Sequence, residues 1–159
     1  MRIPLRVAKL FPEMEWCYPL LALTIRLPKH RGFLMTAALI DTGSYKSFVA
    51  PRDVKRMNIS YSALPQPVSR PTGLGGLKHF VHVAKGVILS FRDEEGKSQR
   101  IELPEIDVLR SAGSEEEAKH VPTILGTEFL EIAGFSLFYN PKKKEAYLET
   151  VQPAPPVST

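Results

Sequence analysis

An all-β domain carrying one or two short helices is the fold class this sequence predicts, and three observations carry the prediction. Leu21, Leu23, Ile25 and Leu27 alternate with Ala22, Thr24 and Arg26, and a second strand-like run, Phe33 to Ile40, follows the turn Pro28-Lys29-His30-Arg31-Gly32. Val81, Val83, Val87, Leu89 and Phe91 all fall at odd positions, the two-residue period of a long half-buried strand. The helical candidates, by contrast, are short: residues 50–58, with Pro51 suited to a first turn and Asn58 to a left-handed stop, and residues 128–132.

The remaining elements follow in order. Asp93-Glu94-Glu95-Gly96-Lys97 turns the long strand back, and Ile101, Leu103, Ile106 and Val108 continue as strand, with a break expected at Pro104. Ser111 to His120 is polar and reads as a surface loop in which Ser114 caps one helical turn over Glu115-Glu116-Glu117. Pro122 to Gly126 and then a hairpin of Phe135–Tyr139 with Ala146–Glu149 complete the ordered part. Lys142-Lys143-Lys144 falls at the tip of that hairpin, where a solvated turn explains it better than a phosphate-binding patch. Residues 1–19 form an extension of open role: an added strand, a cover, or a propeptide in a cleft. Residues 151–159 are Pro-rich and read as a disordered tail.

Composition narrows the function classes. A chain of 159 residues, 43% apolar and 24% charged, has room for one domain with a real core. The formal charge of +4 is spread out, without the basic runs and interleaved aromatics of a nucleic-acid binder, so no nucleic-acid partner is expected. The apolar run Tyr18 to Ile25 is too short for a bilayer and Glu13 and Glu15 interrupt what precedes it, so no membrane partner is expected. A single cysteine, Cys17, forms no intrachain disulfide, which suits a reducing, cytoplasmic setting. The glycine cluster Gly73-Leu74-Gly75-Gly76 lacks the Gly-Lys-Ser/Thr ending of a phosphate loop, so no nucleotide cofactor is expected. His79 and His82 lie three apart on a strand, on opposite faces, and make a poor metal pair.

One segment implies chemistry. Asp41-Thr42-Gly43-Ser44 stands directly behind the apolar run Ala37-Ala38-Leu39-Ile40, a carboxylate at the mouth of a buried strand followed by a hydroxyl residue and a glycine. That arrangement resembles the active-site segment of aspartic proteases. No second Asp-Thr-Gly or Asp-Ser-Gly occurs in the chain, so a second carboxylate would come from a second copy. Two carboxylates around one water cannot both be ionised, so they share a proton; one then acts as base on the water while the other protonates the scissile carbonyl. Neither a metal nor a cofactor is needed for that reaction.

The order of four signals resembles the single-domain retroviral-type aspartic proteases, the retropepsins. They are Leu39 to Ser44; Ser47-Phe48-Val49 with a following short helix; Thr72-Gly73-Leu74-Gly75-Gly76; and Thr123-Ile124-Leu125-Gly126 leading into Thr127-Glu128-Phe129-Leu130. Together they cover residues 20–150. The resemblance implies a closed-barrel-like domain that is active as a homodimer, hydrolysing an extended peptide or protein substrate with Asp41 as the catalytic residue. It also implies that Thr42 bonds the partner loop, that Ser44 bonds the outer oxygen of the aspartate, and that Gly73, Leu74, Gly75 and Gly76 form a substrate-covering flap. Ile124, Leu125 and Gly126 would be scaffold beside the catalytic loop. Gly43 permits two loops to approach closely, and its N–H can donate to the carboxylate. Two residues need separate readings: Lys46 is expected to point to solvent, and Glu128, opening a helix, is explained by the helix dipole rather than by catalysis. The alternative of another class is a catalytically silent dimeric peptide-binding or scaffold domain of the same fold.

Overall fold

The computed structural model describes residues 1–68 and 79–152. The hairpin read from alternation is β3 (Tyr18–Leu27) and β4 (Gly32–Ile40), in register from Leu20↔Leu39 to Leu27↔Gly32. Its turn is a single 3-10 turn, Pro28–His30, closed by Arg31 in the left-handed region. The long strands β6 (His79–Arg92) and β7 (Ser98–Ser111) pair antiparallel along nearly their whole length. Two two-residue strands, β5 (Phe48–Val49) and β8 (Ile124–Leu125), link the pairs: β8 runs parallel to β4, and β5 runs parallel to β7 and antiparallel to β8. Finally β6 returns to β3 through Thr24↔Ser90, Ile25↔Leu89 and Arg26↔Ile88. The order β3-β4-β8-β5-β7-β6 thus closes on itself, so the domain is mostly β and ring-like, and its central strands keep few open edges.

Residues 2–8 supply two strands. β1 (Arg2–Pro4) joins β10 (Glu145–Thr150) and β9 (Phe135–Asn140) in a separate three-stranded sheet, while β2 (Arg6–Ala8) lies on the start of β3. The lysine run 142–144 is the exposed turn between β9 and β10. Among the described residues three short α-helices complete the fold: α1 (Pro51–Arg56), α2 (Glu115–Ala118) and α3 (Thr127–Ala133). Asn58, just after α1, has a φ of 57°, and the Ser114 hydroxyl accepts from the Glu117 N–H at the head of α2. None of these helices is long and apolar enough to cross a membrane.

The described residues bury two apolar clusters. The larger contains Ile25, Leu27, Val87, Leu89, Leu103, Ile106 and Leu125, with Phe91, Phe129 and Phe135 meeting at ring separations near 6.2 Å. The smaller, formed by Leu20, Leu39, Phe48, Ala50, Val81, Leu109, Val121 and Ile124, backs the segment that carries Asp41. Strands serve both clusters; in β6, Val81 enters the smaller one, and Ala84, Val87, Leu89 and Phe91 the larger.

Strict alternation breaks within the larger cluster, since Ala84 and Val87, and likewise Leu103 and Ile106, face the same core three residues apart. The break sits where Gly86, at φ 67°, stands opposite Pro104 and the ladder skips a pair. Proline has no N–H to give there and glycine accepts the left-handed backbone, so the kink falls where it costs least. The expected break of the strand at Pro104 is thereby corrected: β7 runs through it.

Candidate active site

At the end of β4 the chain leaves the barrel as a loop, residues 41–47, that returns as β5. Parallel pairing with β8 fixes where the loop begins. Leu39 N–H donates to the Thr123 carbonyl at 2.9 Å and Asp41 N–H to the Leu125 carbonyl at 3.1 Å. Asp41 is therefore held by its backbone at the rim of the barrel while its side chain is half-buried. Within the described residues one donor reaches its carboxylate: Gly43 N–H to Oδ1 at 2.8 Å. A Cβ on Gly43 would stand 3.1 Å from that same oxygen, so a side chain would crowd the bond. Thr42, Gly43 and Tyr45 are exposed, Tyr45 at 62%.

The rest of the loop is braced by the segment 124–128. Thr127 N–H donates to the Ser44 carbonyl at 2.8 Å and Glu128 N–H to the Tyr45 carbonyl at 3.0 Å, so the first N–H groups of α3, which no helical carbonyl can satisfy, are used to hold the loop. This brings Gly126 against the loop backbone. A Cβ there would lie 2.5 Å from the Ser44 and Tyr45 carbonyl oxygens and 2.8 Å from that of Lys46, which only glycine avoids. Gly126 N–H also donates to Ser47 Oγ at 3.0 Å. Ile124 and Leu125 are buried strand residues directly beside Asp41.

Three expectations about neighbouring side chains are corrected. The Ser44 hydroxyl donates to the Lys46 carbonyl at 2.8 Å, not to the aspartate, because the turn that lets Ser44 N–H donate to the Asp41 carbonyl folds the hydroxyl toward Lys46. Lys46 is not a solvated lysine: its Nζ lies 3.1 Å from Glu105 Oε1 and 3.3 Å from Glu128 Oε2. Nor is the helix dipole the main account of Glu128. That side chain is buried, and its Oε1 accepts the Ser47 N–H at 2.7 Å, so it clamps the far end of the loop.

The electrostatics follow from these pairs. Burial by itself would lower the Lys46 pKa, but its bond to Glu105 and the charge of Glu128 outweigh that and hold the ammonium above its ordinary value. Bonds from Lys85 and then Lys46 hold the Glu105 carboxyl below its ordinary value. No ion pair joins Lys46 to Asp41.

His82 and His79 are both buried. His82 Nδ1 lies 2.7 Å from the Pro65 carbonyl and its ring 5.5 Å from that of Tyr61, while burial lowers the His79 pKa and favours its neutral form. Among the described residues no cluster of His, Cys, Asp and Glu has the geometry of a metal site. Gly73, Leu74, Gly75 and Gly76 lie outside the described residues.

Sequence reasoning missed the support beneath the loop. Asp53 on α1 is fully buried and its Oδ2 accepts from Thr123 Oγ1 at 2.7 Å and Thr36 Oγ1 at 3.1 Å, with Arg56 at 2.9 Å from Oδ1. Thr123 Oγ1 in turn accepts the Ala50 N–H at 3.0 Å. This ties α1 to both strands flanking Asp41. The two threonines are 17 and 70 residues from Asp53, so no local pattern announces them. No protein-family model matches the chain, and no curated protein matches it in sequence.

Proposed function

We propose that this chain is a retropepsin-like aspartic endopeptidase, active as a homodimer in which the two Asp41 carboxylates share one water. The observation that carries the reading is the Asp41 carboxylate itself. It is fixed through its backbone to β8, takes one hydrogen bond among the described residues, from Gly43, and sits at a rim whose loop is braced from behind and exposed in front. A lone half-site of this kind lacks its acid–base partner, and the single Asp-Thr-Gly leaves a second copy to supply it. The exposed Thr42 and Gly43 are the residues a symmetry-related loop would meet.

In the reaction, the ionised member of the pair takes a proton from the water as its oxygen attacks the peptide carbonyl carbon. The protonated member gives its proton to the carbonyl oxygen, producing a neutral tetrahedral diol. Collapse of that diol returns a proton to the amine nitrogen as the C–N bond breaks. An extended peptide, bound through its main chain, is the substrate class that suits such a site.

One observation favours the second reading, a silent peptide-binding domain of the same fold: the Ser44 hydroxyl is committed to the Lys46 carbonyl and so does not orient the aspartate. Incubation with a mixed peptide library, with and without a statine-type transition-state mimic, separates the two. Cleavage that the mimic blocks supports the protease. Saturable peptide binding without new termini supports the silent domain.

A further inference from the structure

A cavity of about 710 Å³ lies between α1, the segment after it, the end of β7 and α2, and shares no lining residue with the loop 41–47 or β8. Val54, Ile59 and Ala118 give it an apolar lining, and Asn58 and Ser60 add polar groups. Its volume is that of a small-molecule site. Arg52, Lys55 and Lys119, which also line it, already have carboxylate partners. Arg52 Nε is 4.0 Å from Asp53, Lys55 Nζ is 3.5 Å from Glu115, and Lys119 pairs with Glu116.

Arg110 is different. Its guanidinium carbon lies 4.8 Å from the centre of the Phe80 ring and 5.8 Å from that of Tyr61, and among the described residues no carboxylate or carbonyl accepts from it. The Tyr61 ring is itself fixed, because its hydroxyl donates to the Leu109 carbonyl at 2.8 Å. Burial pushes the Tyr61 phenol up to about 12 against the opposing charge of Arg110, so the phenol stays neutral and offers the guanidinium no counter-charge. Aromatic rings engage the faces of a guanidinium and leave its in-plane N–H fork, which is the part that recognises a carboxylate or phosphate with two parallel bonds.

We propose that this cavity binds an organic oxyanion, a carboxylate or phosphate carried on a flat apolar body, with Arg110 as its anchor. The oxyanion takes the in-plane N–H groups, and the apolar body lies over Val54, Ile59 and the Tyr61 ring. The site is independent of the peptide-cleavage reading.

The test uses the full chain and three probes of one shape: 1-naphthoate, 1-naphthyl phosphate and uncharged 1-naphthol, at neutral pH and low salt. Binding is followed by calorimetry and by amide chemical shifts. The expected result is a dissociation constant on the order of 1 mM or tighter for at least one anion. Shifts should cluster at residues 54–61 and 109–119, with naphthol at least about tenfold weaker. Arg110→Gln should weaken the anions by about tenfold or more and leave naphthol unchanged, with Arg110→Lys between. The stronger anion names the headgroup. Naphthol binding as tightly as both anions, no anion binding, shifts centred elsewhere, or a folded Arg110→Gln variant of undiminished affinity would each overturn the proposal. The comparison of probes on the unmutated chain stands even where a variant fails to fold.

Discussion

Asp41 and Asp93 each stand at the end of a strand and each accept a backbone N–H from two residues ahead, yet their surroundings make them different groups. Asp93 Oδ1 accepts from Glu95 N–H at 3.0 Å and Lys97 N–H at 2.9 Å, and its Oδ2 from Gln99 Nε2 at 2.8 Å. Burial raises its pKa, but the bonds from Lys97, Gln99 and Glu95 prevail and hold it below its ordinary value. Among the described residues Asp41 takes one bond, from Gly43, and the neighbouring donors go to the loop backbone around it. A saturated carboxylate closes a turn, whereas an under-bonded one on a rigid rim is free to bond a water and a partner. The difference lies in the donors supplied, not in the local turn.

Removing the two carboxylates separates them most sharply. On the proposed protease reading, Asp41→Asn should cut peptide cleavage by at least about a thousandfold while the melting temperature hardly moves, since that reading makes the carboxylate the acid–base group. Asp93→Asn should do the reverse, lowering the melting temperature and leaving turnover per folded molecule unchanged. Peptide turnover and thermal melts of both variants check this pair.

The glycines of the two loops extend the contrast. Gly126→Ala forces a methyl group into three carbonyl oxygens of the candidate loop and should destabilise by about 3 kcal/mol or more in chemical denaturation. Gly96→Ala in the Asp93 turn meets nothing within 4 Å and carries only the strain of its φ of 79°, about 1 kcal/mol.

Acid titration gives a smaller effect. A carboxyl whose pKa is depressed by folding binds fewer protons folded than unfolded near that range. Its stabilisation is therefore present above the ordinary aspartate value of 3.8 and lost as pH falls through the lower, folded value. Asp93→Asn should accordingly flatten the loss of melting temperature on acidification below about pH 4. Lys46→Ala should change least. Its ammonium is engaged by Glu105 and Glu128, so both limbs of a bell-shaped pH profile of cleavage should stay in place, with a stability cost of about 1 kcal/mol or less. A shifted alkaline limb would mean that Lys46 reaches the aspartate after all.

What the sequence made legible was whatever rests on local pattern. The alternation of Leu21 to Leu27 and of Val81 to Phe91 placed the main strands, and the apolar run before Asp41 placed that residue at a strand end. Pro104 was misleading because a proline ends a strand only where its missing N–H is needed, and Gly86 opposite it removes that need. The ring closure of β6 on β3 and the Asp53–Thr123 tie join residues about 65 and 70 positions apart, beyond any local pattern. The hydroxyl of Ser44 was misassigned because motif identity fixes the residue type and leaves its rotamer to the loop.

The proposed sharing of catalysis by Asp41 from two chains is tested most directly by mixing. Unmutated chain is held at a fixed concentration near the dissociation constant of the proposed dimer, and folded Asp41→Asn chain is added in increasing excess while cleavage of one peptide is followed. If each site needs one Asp41 from each copy, mixed dimers form at the expense of active ones and cleavage should fall toward zero. Cleavage that stays proportional to the unmutated chain, whatever the excess of variant, would contradict the shared site.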